Sequence, residues 1–277
     1  MCRFVAYLGE PVSLDLLLLK PSNSLVHQSL DAKEFRLRVN GDGFGVAWYT
    51  ELRPEPVRVR TLTPAWSNQN LRSFAPVALS GCIVAHVRAA SPGLPVTETN
   101  CHPFVHGPFT FCHNGSVGDF AARRQGLLAG LAPEAFAAIE GTTDSEVLFA
   151  MFLEEIAKPG TEDRGHDLAV ALARTIDRVK HHDGEPSYLN LCVTDGQRVA
   201  ATRFSTDPDG NMSSLYTHHG KRYDCVDGVC RMVDPGGGLT TAIIASEPLS
   251  TDDGWEPVPP NHVGVIREDR TASSWSL

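Results

Sequence analysis

The chain has 277 residues, 42% of them hydrophobic and 21% charged, which suits a globular protein and excludes a disordered, collagen-like or coiled-coil chain. Against 24 Lys and Arg stand 33 Asp and Glu, a formal net charge of -9, so a phosphate backbone is repelled and nucleic acid is not an expected partner. No basic run favours a membrane surface, no apolar stretch approaches the roughly 18 residues that cross a bilayer, and no signal peptide is expected at the start.

In chain order, residues 4–8 read as a β-strand. A short helix is expected over 13–20 with Ser13 as its cap, closed by Lys20 and Pro21. Strand-forming runs follow at 45–49, 57–62, 83–87 and 109–112, each rich in β-branched or aromatic residues and bounded by Gly, Pro, Asn or Ser. The unbroken apolar run Ile83, Val84, Ala85 predicts a strand buried on both faces. Thr143 and Glu146 have the spacing of a capping box, opening a helix over 147–156. Leu168, Ala171, Leu172, Ile176 and Val179 form one stripe of a second helix over 166–180. Strands return at 188–194, 199–204, 215–218 and 241–245, while 236–238 and 256–260 read as loops. Strands, then helices, then strands fit an α+β layered fold better than a doubly wound sheet. No linker interrupts this order, so one domain is expected.

Seven cysteines occur at positions 2, 82, 101, 112, 192, 225 and 230, with no Cys-x-x-Cys pair. An odd number at these spacings speaks against a disulfide framework or a zinc ribbon, and the expected location is the cytoplasm, where thiols stay reduced. Most of these cysteines then read as small buried apolar residues.

Cys2 is different. A small residue after Met1 permits removal of the initiator methionine. A thiol nucleophile and an α-amine titrating near ~8 would then share one residue, with no need of a histidine base. Arg88, leaving the buried strand, needs a partner or a ligand, and its planar fork suits a carboxylate; Ser91 offers a hydroxyl to the same ligand. Asn114-Gly115 reads either as a hairpin turn or as an amide and a backbone N–H aimed at a developing oxyanion. Asp144 either complements its helix dipole or binds an ammonium. Cys101, His102, His106, Cys112 and His113 have zinc-compatible chemistry at poor spacing.

The joint order of Met1-Cys2-Arg3, Gly41-Asp42-Gly43-Phe44-Gly45, the 86–91 segment, the 100–104 segment, His113-Asn114-Gly115, the 143–146 box and Ser246-Glu247-Pro248 resembles the class II glutamine amidotransferases. These belong to the N-terminal-nucleophile hydrolases. The likeness is strongest to the stand-alone branch with the ergothioneine-pathway and glutathione-degrading amidotransferase-like hydrolases. The resemblance implies a four-layer α/β/β/α sandwich over residues 2–277, Met1 being removed. It implies Cys2 as nucleophile with its own α-amine as base, and Asn114 and Gly115 as oxyanion hole. Arg88 is implied on the substrate α-carboxylate, Asp144 on its α-ammonium, and Ser91 where the family usually has Thr. No cofactor and no metal are implied. The expected substrate is glutamine or a γ-glutamyl compound, hydrolysed to glutamate and ammonia or an amine. The alternatives are a glutaminase subunit feeding a separate ammonia-accepting synthase, and a non-catalytic or zinc-binding module.

Overall fold

The computed structural model describes every residue except 1, 35–37, 92, 227 and 235–239; the expected loop at 236–238 lies outside the described residues. The strands are β1 (Arg3–Ser13), β2 (Phe44–Thr50), β3 (Arg53–Thr61), β4 (Leu79–Val87), β5 (Phe104–His106), β6 (Phe109–Ser116), β7 (Tyr188–Thr194) and β8 (Val199–Arg203). They continue with β9 (Tyr216–Gly220), β10 (Arg222–Val226), β11 (Val229–Val233), β12 (Thr241–Ala245), β13 (Glu256–Pro257), β14 (His262–Ile266) and β15 (Ala272–Ser276). The helices are α1 (Asp15–Leu18), α2 (Leu25–Leu30), α3 (Gln69–Phe74), α4 (Phe120–Ala129), α5 (Pro133–Phe136), α6 (Asp144–Ile156) and α7 (Arg164–Lys180).

Two large antiparallel sheets result, beside the two-stranded β10–β11 hairpin. The first has the order β13-β9-β12-β1-β4-β2-β3, and the second β15-β14-β8-β7-β6-β5. Strand alternation divides the apolar residues into three layers. Phe4, Ala6, Leu8, Cys82 and Val84 of the first sheet meet Cys112, Cys192, Val199 and Ala201 of the second. The opposite faces of β1 and β4 turn Val5, Tyr7, Ile83 and Ala85 onto Leu17, Leu25 and Leu71 of the first three helices. Phe111, Leu191 and Val193 turn outward onto Phe149, Phe152, Leu172 and Ile176 of α6 and α7. The order is therefore helix, sheet, sheet, helix. Ile83, Val84 and Ala85 are buried on both faces because β4 lies between β1 and β2 with an apolar layer on each side.

The Thr143 capping box is formed as the sequence predicts. Thr143 Oγ1 accepts the Glu146 N–H at 3.2 Å, and Glu146 reaches back to the preceding loop, accepting the Glu140 and Gly141 N–H groups at 3.0 and 2.7 Å. Four expectations need correction. Ser13 ends β1 and caps nothing; Leu14 is the α1 cap residue without a side-chain bond, and the Ser13 hydroxyl goes to the Asp15 carboxylate. Asn114 and Gly115 are not a turn but lie inside β6, opposite Asn190 and Leu189 of β7. The 256–260 loop contributes the short edge strand β13. Cys225 and Cys230 stand opposite each other in the β10–β11 hairpin and form a disulfide. The hairpin register, not sequence spacing, brings them together. No helix among the described residues is long and apolar enough to cross a membrane.

Removing the cap hydroxyl with Thr143→Ala leaves a helix-terminal N–H without its acceptor. Urea denaturation should report a loss of about 1 kcal/mol; an unchanged midpoint would mean that Glu146 alone holds this end.

Candidate active site

The site is built where strands of both sheets end together. Arg3 and Phe44 both pair with Val87, so Cys2 and Arg88 lie one residue beyond neighbouring strand ends. Gly115 comes from β6 of the facing sheet, and Asp144 from the first turn of α6. Cys2, Arg88, Ser91, Gly115 and Asp144 line one cavity of about 250 Å³, with Ala89, Ala90, His102, His113 and Thr143 among the other walls. A larger groove of about 340 Å³ runs between β13 and β14 and shares no lining residue with it.

The Gly41–Gly45 motif holds the Arg88 segment. Arg88 N–H donates to the Gly43 carbonyl at 2.9 Å, and Asp42 N–H to the Arg88 carbonyl at 2.9 Å. The Asp42 carboxylate accepts the Ala90 N–H at 2.7 Å. Gly43 has φ +114°, and a side chain there would meet the Thr61 carbonyl and the Cys101 sulfur, so the close approach requires glycine. Asn100 ties the far end of the same loop to the α6 entry: Nδ2 donates to the Pro95 carbonyl at 2.9 Å, and Oδ1 accepts the Thr142 N–H at 2.9 Å.

The Cys2 sulfur is partly buried between the Ala89 N–H (3.4 Å) and the Ala89 carbonyl (3.5 Å). Burial pushes the Cys2 thiol up, opposed by the Ala89 N–H and by the Arg88 and Arg3 cations. Arg88 is 3% exposed; Nη2 reaches the Pro95 carbonyl at 3.4 Å, and Nη1 has no hydrogen-bond partner among the described residues. Asp144 Oδ2 accepts the Val117 N–H at 2.8 Å, and Oδ1 accepts both the Ser145 N–H at 2.8 Å and the Ser145 hydroxyl at 3.3 Å. Ser91 stands exposed at the mouth. At Gly115 a Cβ would collide with the Tyr188 carbonyl, so the β6–β7 pairing excludes any side chain there.

Asn114 departs from the expected arrangement in its side chain. It is fully buried outside the cavity lining, with Nδ2 3.5 Å from Ser246 Oγ and Oδ1 without a partner among the described residues. Alternation explains this, since Asn114 shares the inter-sheet face of β6 with Cys112, while His113 faces α6 and bonds Ser145 Oγ at 2.9 Å.

Three histidines surround the cavity floor. His86 and His102 stack with ring centroids 4.2 Å apart, and His86 Nε2 bonds the His113 carbonyl at 3.3 Å across the sheets. Burial pushes His86 down to about 3 and holds His102 well below its ordinary value; His113 is also lowered by burial. None of them hydrogen-bonds Cys2 among the described residues. Among those residues no group of three or more His, Cys, Asp or Glu is placed to hold a metal ion.

The residue that sequence reasoning left without a role is Glu247. It is fully buried and ion-paired to Arg3 at 2.6 Å. The one available signal was its place beside Ser246 in the quoted motif.

The family model described as glutamine amidotransferases class-II matches residues 17–276. This chain belongs to that family. It is 36% identical to the probable glutamine amidotransferase DUG3 of Saccharomyces cerevisiae, over 97% of this chain and 82% of the relative. It is 31% identical to the gamma-glutamyl-hercynylcysteine sulfoxide hydrolase of Mycolicibacterium smegmatis, over 97% and 96%. A glutamine aminotransferase class-II domain protein from Silicibacter pomeroyi superposes with a TM-score of 0.66 at 29% identity, covering 99% of each chain. The glutamine phosphoribosylpyrophosphate amidotransferase from B. subtilis superposes over 99% of this chain and 49% of its own, with a TM-score of 0.60 at 14% identity. That likeness is one of fold, the N-terminal-nucleophile hydrolase sandwich. The chain is thus an amidohydrolase-type enzyme of the class II family.

A buried neutral histidine makes stability depend on pH. The folded state holds His86 at about 3 against an ordinary 6.5, so below pH 6.5 the unfolded chain binds the extra proton. The stabilisation is complete above 6.5 and is lost as pH falls towards 3. Between pH 6.5 and 5 this one group removes about 2 kcal/mol. Tm measured across that window should fall, and less steeply in His86→Gln; parallel curves for the two proteins would discard the assignment.

Proposed function

We propose that the protein hydrolyses the γ-amide bond of glutamine or of a γ-glutamyl compound through a thioester on Cys2. The observation that carries this reading is a buried Arg88 Nη1 with no partner among the described residues, in the same cavity as the Cys2 sulfur. A buried guanidinium donor without an acceptor is costly, and an α-carboxylate satisfies it bidentately. Asp144, in the same cavity, keeps acceptor capacity on Oδ2 for the α-ammonium. These two contacts orient the zwitterionic end and bring the γ-carbonyl to the sulfur.

The working chain is residues 2–277, with Met1 removed so that the α-amine of Cys2 is free. That amine accepts the thiol proton, and the sulfur attacks the γ-carbonyl carbon. The oxyanion is held by the Gly115 N–H and by one N–H of Asn114 Nδ2, the other staying on Ser246 Oγ. The tetrahedral intermediate collapses to a thioester as the α-ammonium gives its proton to the leaving amine. Water then attacks the thioester, glutamate leaves, and the thiol is restored. Burial holds His86, His102 and His113 neutral and leaves the α-amine as the base nearest the sulfur. Hydrolysis is favoured over delivery of ammonia to a separate synthase, because the named hydrolase matches along 96% of its own length; an isolated protein that releases glutamate only with an added synthase would reverse this.

Purified protein with a mass-verified N-terminus should release glutamate from γ-glutamyl amides. Cys2→Ala should abolish release at unchanged Tm; full activity in that variant would remove Cys2 from the chemistry. Arg88→Lys should raise KM with little change in kcat, because an ammonium lacks the planar fork. Asn114→Ala should raise the barrier by about 2.7–4 kcal/mol, read in kcat rather than KM.

A further inference from the structure

Ser246 and Glu247 follow β12 directly and lie against the start of β1. Glu247 Oε1 faces Arg3 Nε at 2.6 Å and accepts the Glu34 N–H at 3.1 Å; Oε2 accepts the Lys33 N–H at 2.9 Å. Arg3 in turn donates Nη1 to the Cys2 carbonyl at 2.8 Å. Ser246 Oγ accepts the Phe4 N–H at 3.0 Å, and the Asn114 amide approaches the same oxygen at 3.5 Å. The Ser246 N–H donates to the Phe4 carbonyl at 3.0 Å.

Cys2 directly precedes β1 of one sheet and Asn114 lies in β6 of the other, and between the sheets lie Phe4, Ala6, Cys112 and Cys192. Apolar contact is non-directional. It holds the sheets together without fixing their offset to a fraction of an ångström. Directional bonds at the catalytic end do that, and the Ser246 hydroxyl is one that touches both partners.

We propose that Ser246 and Glu247 are positioning residues that register the nucleophile against the oxyanion amide, Glu247 through Arg3 on the backbone of residue 2 and Ser246 through the Asn114 side chain. This rests on Cys2 being the nucleophile. Glu247 has a second task. Arg3 is a buried cation whose side chain meets the Cys2 carbonyl, and the Glu247 carboxylate balances it. Without that balance the thiolate is over-stabilised and the amine becomes a weaker base.

Two readouts separate this from a purely structural role and from failure of the proposed function. The pH dependence of Cys2 alkylation by iodoacetamide, followed by peptide mass spectrometry, needs no substrate; kcat and KM on a γ-glutamyl amide need one. Glu247→Gln keeps the shape and removes the charge. Its alkylation midpoint should fall by about half a pH unit or more, with kcat down about tenfold or more. Ser246→Ala removes one small group and is the variant that decides if Glu247→Gln does not fold. Its kcat should fall about tenfold, with KM and the alkylation midpoint unchanged, and Ser246→Thr should recover most of the rate. An unmoved midpoint in Glu247→Gln, or wild-type kcat in Ser246→Ala, overturns the proposal. Wild-type protein that alkylates at Cys2 but hydrolyses no γ-glutamyl amide would sink the proposed function, and the Glu247 alkylation result would still stand or fall by itself.

Discussion

Everything in the cavity depends on how two buried arginines are treated. Arg3 and Arg88 lie 1% and 3% exposed near the ends of adjacent strands. Taking a guanidinium out of water costs several kcal/mol unless its donors are met. Arg3 is met by a carboxylate and by the Cys2 carbonyl, so its cost is offset within the protein and its side chain is fixed. Arg88 keeps one buried nitrogen without an acceptor among the described residues. The fold tolerates this because the surrounding bonds do not depend on the guanidinium. Backbone groups of Gly43 and Asp42 hold residue 88, and Asp42 holds Ala90. One arginine therefore serves the architecture, and the other is left with binding capacity for a ligand.

Both are delivered by strand register. Because β1, β4 and β2 end together at Val87, the residues just past those ends crowd into one place. The facing sheet brings β6 up from below, where pairing with Tyr188 and Leu189 allows only glycine at 115. The sulfur and the Gly115 backbone thus come from opposite sheets. Local changes far along β1 or β6 act on the site only through the offset of the sheets, which gives the few polar links between them an importance beyond their number.

Sequence legibility followed the range of the interaction. The Thr143–Glu146 box spans four residues, and it was readable because both partners lie in one turn. β12 and β7 were readable as runs rich in strand-forming residues. Of the two readings of Asn114-Gly115, the turn does not hold, because pairing with β7 overrides the local preference of the dipeptide. The Cys225–Cys230 disulfide was missed because only a hairpin with Val226 opposite Val229 sets the two sulfurs face to face. Glu247 was unreadable for the same physical reason. Its partner lies 244 residues away, and nothing in the residues around it announces a buried cation. The family likeness brought the 246–248 segment to notice, but only the contacts give it a task.

The histidine stack bears on why the thiol would use its own amine. His86 and His102 lie between Arg88 and the inter-sheet core, where a protonated imidazole would be both desolvated and repelled by the arginine. His113 spends both nitrogens on Ser145 and the Tyr188 carbonyl. A histidine base that can neither be charged in place nor reach the sulfur is a poor proton acceptor at neutral pH. On the proposed function, an α-amine on residue 2 avoids both difficulties, since it belongs to the same residue as the thiol. The same burial that keeps the histidines neutral sets His102 and His113 in the cavity wall that Arg88 also lines, and on the proposed function the proton acceptor then has to come from residue 2 itself.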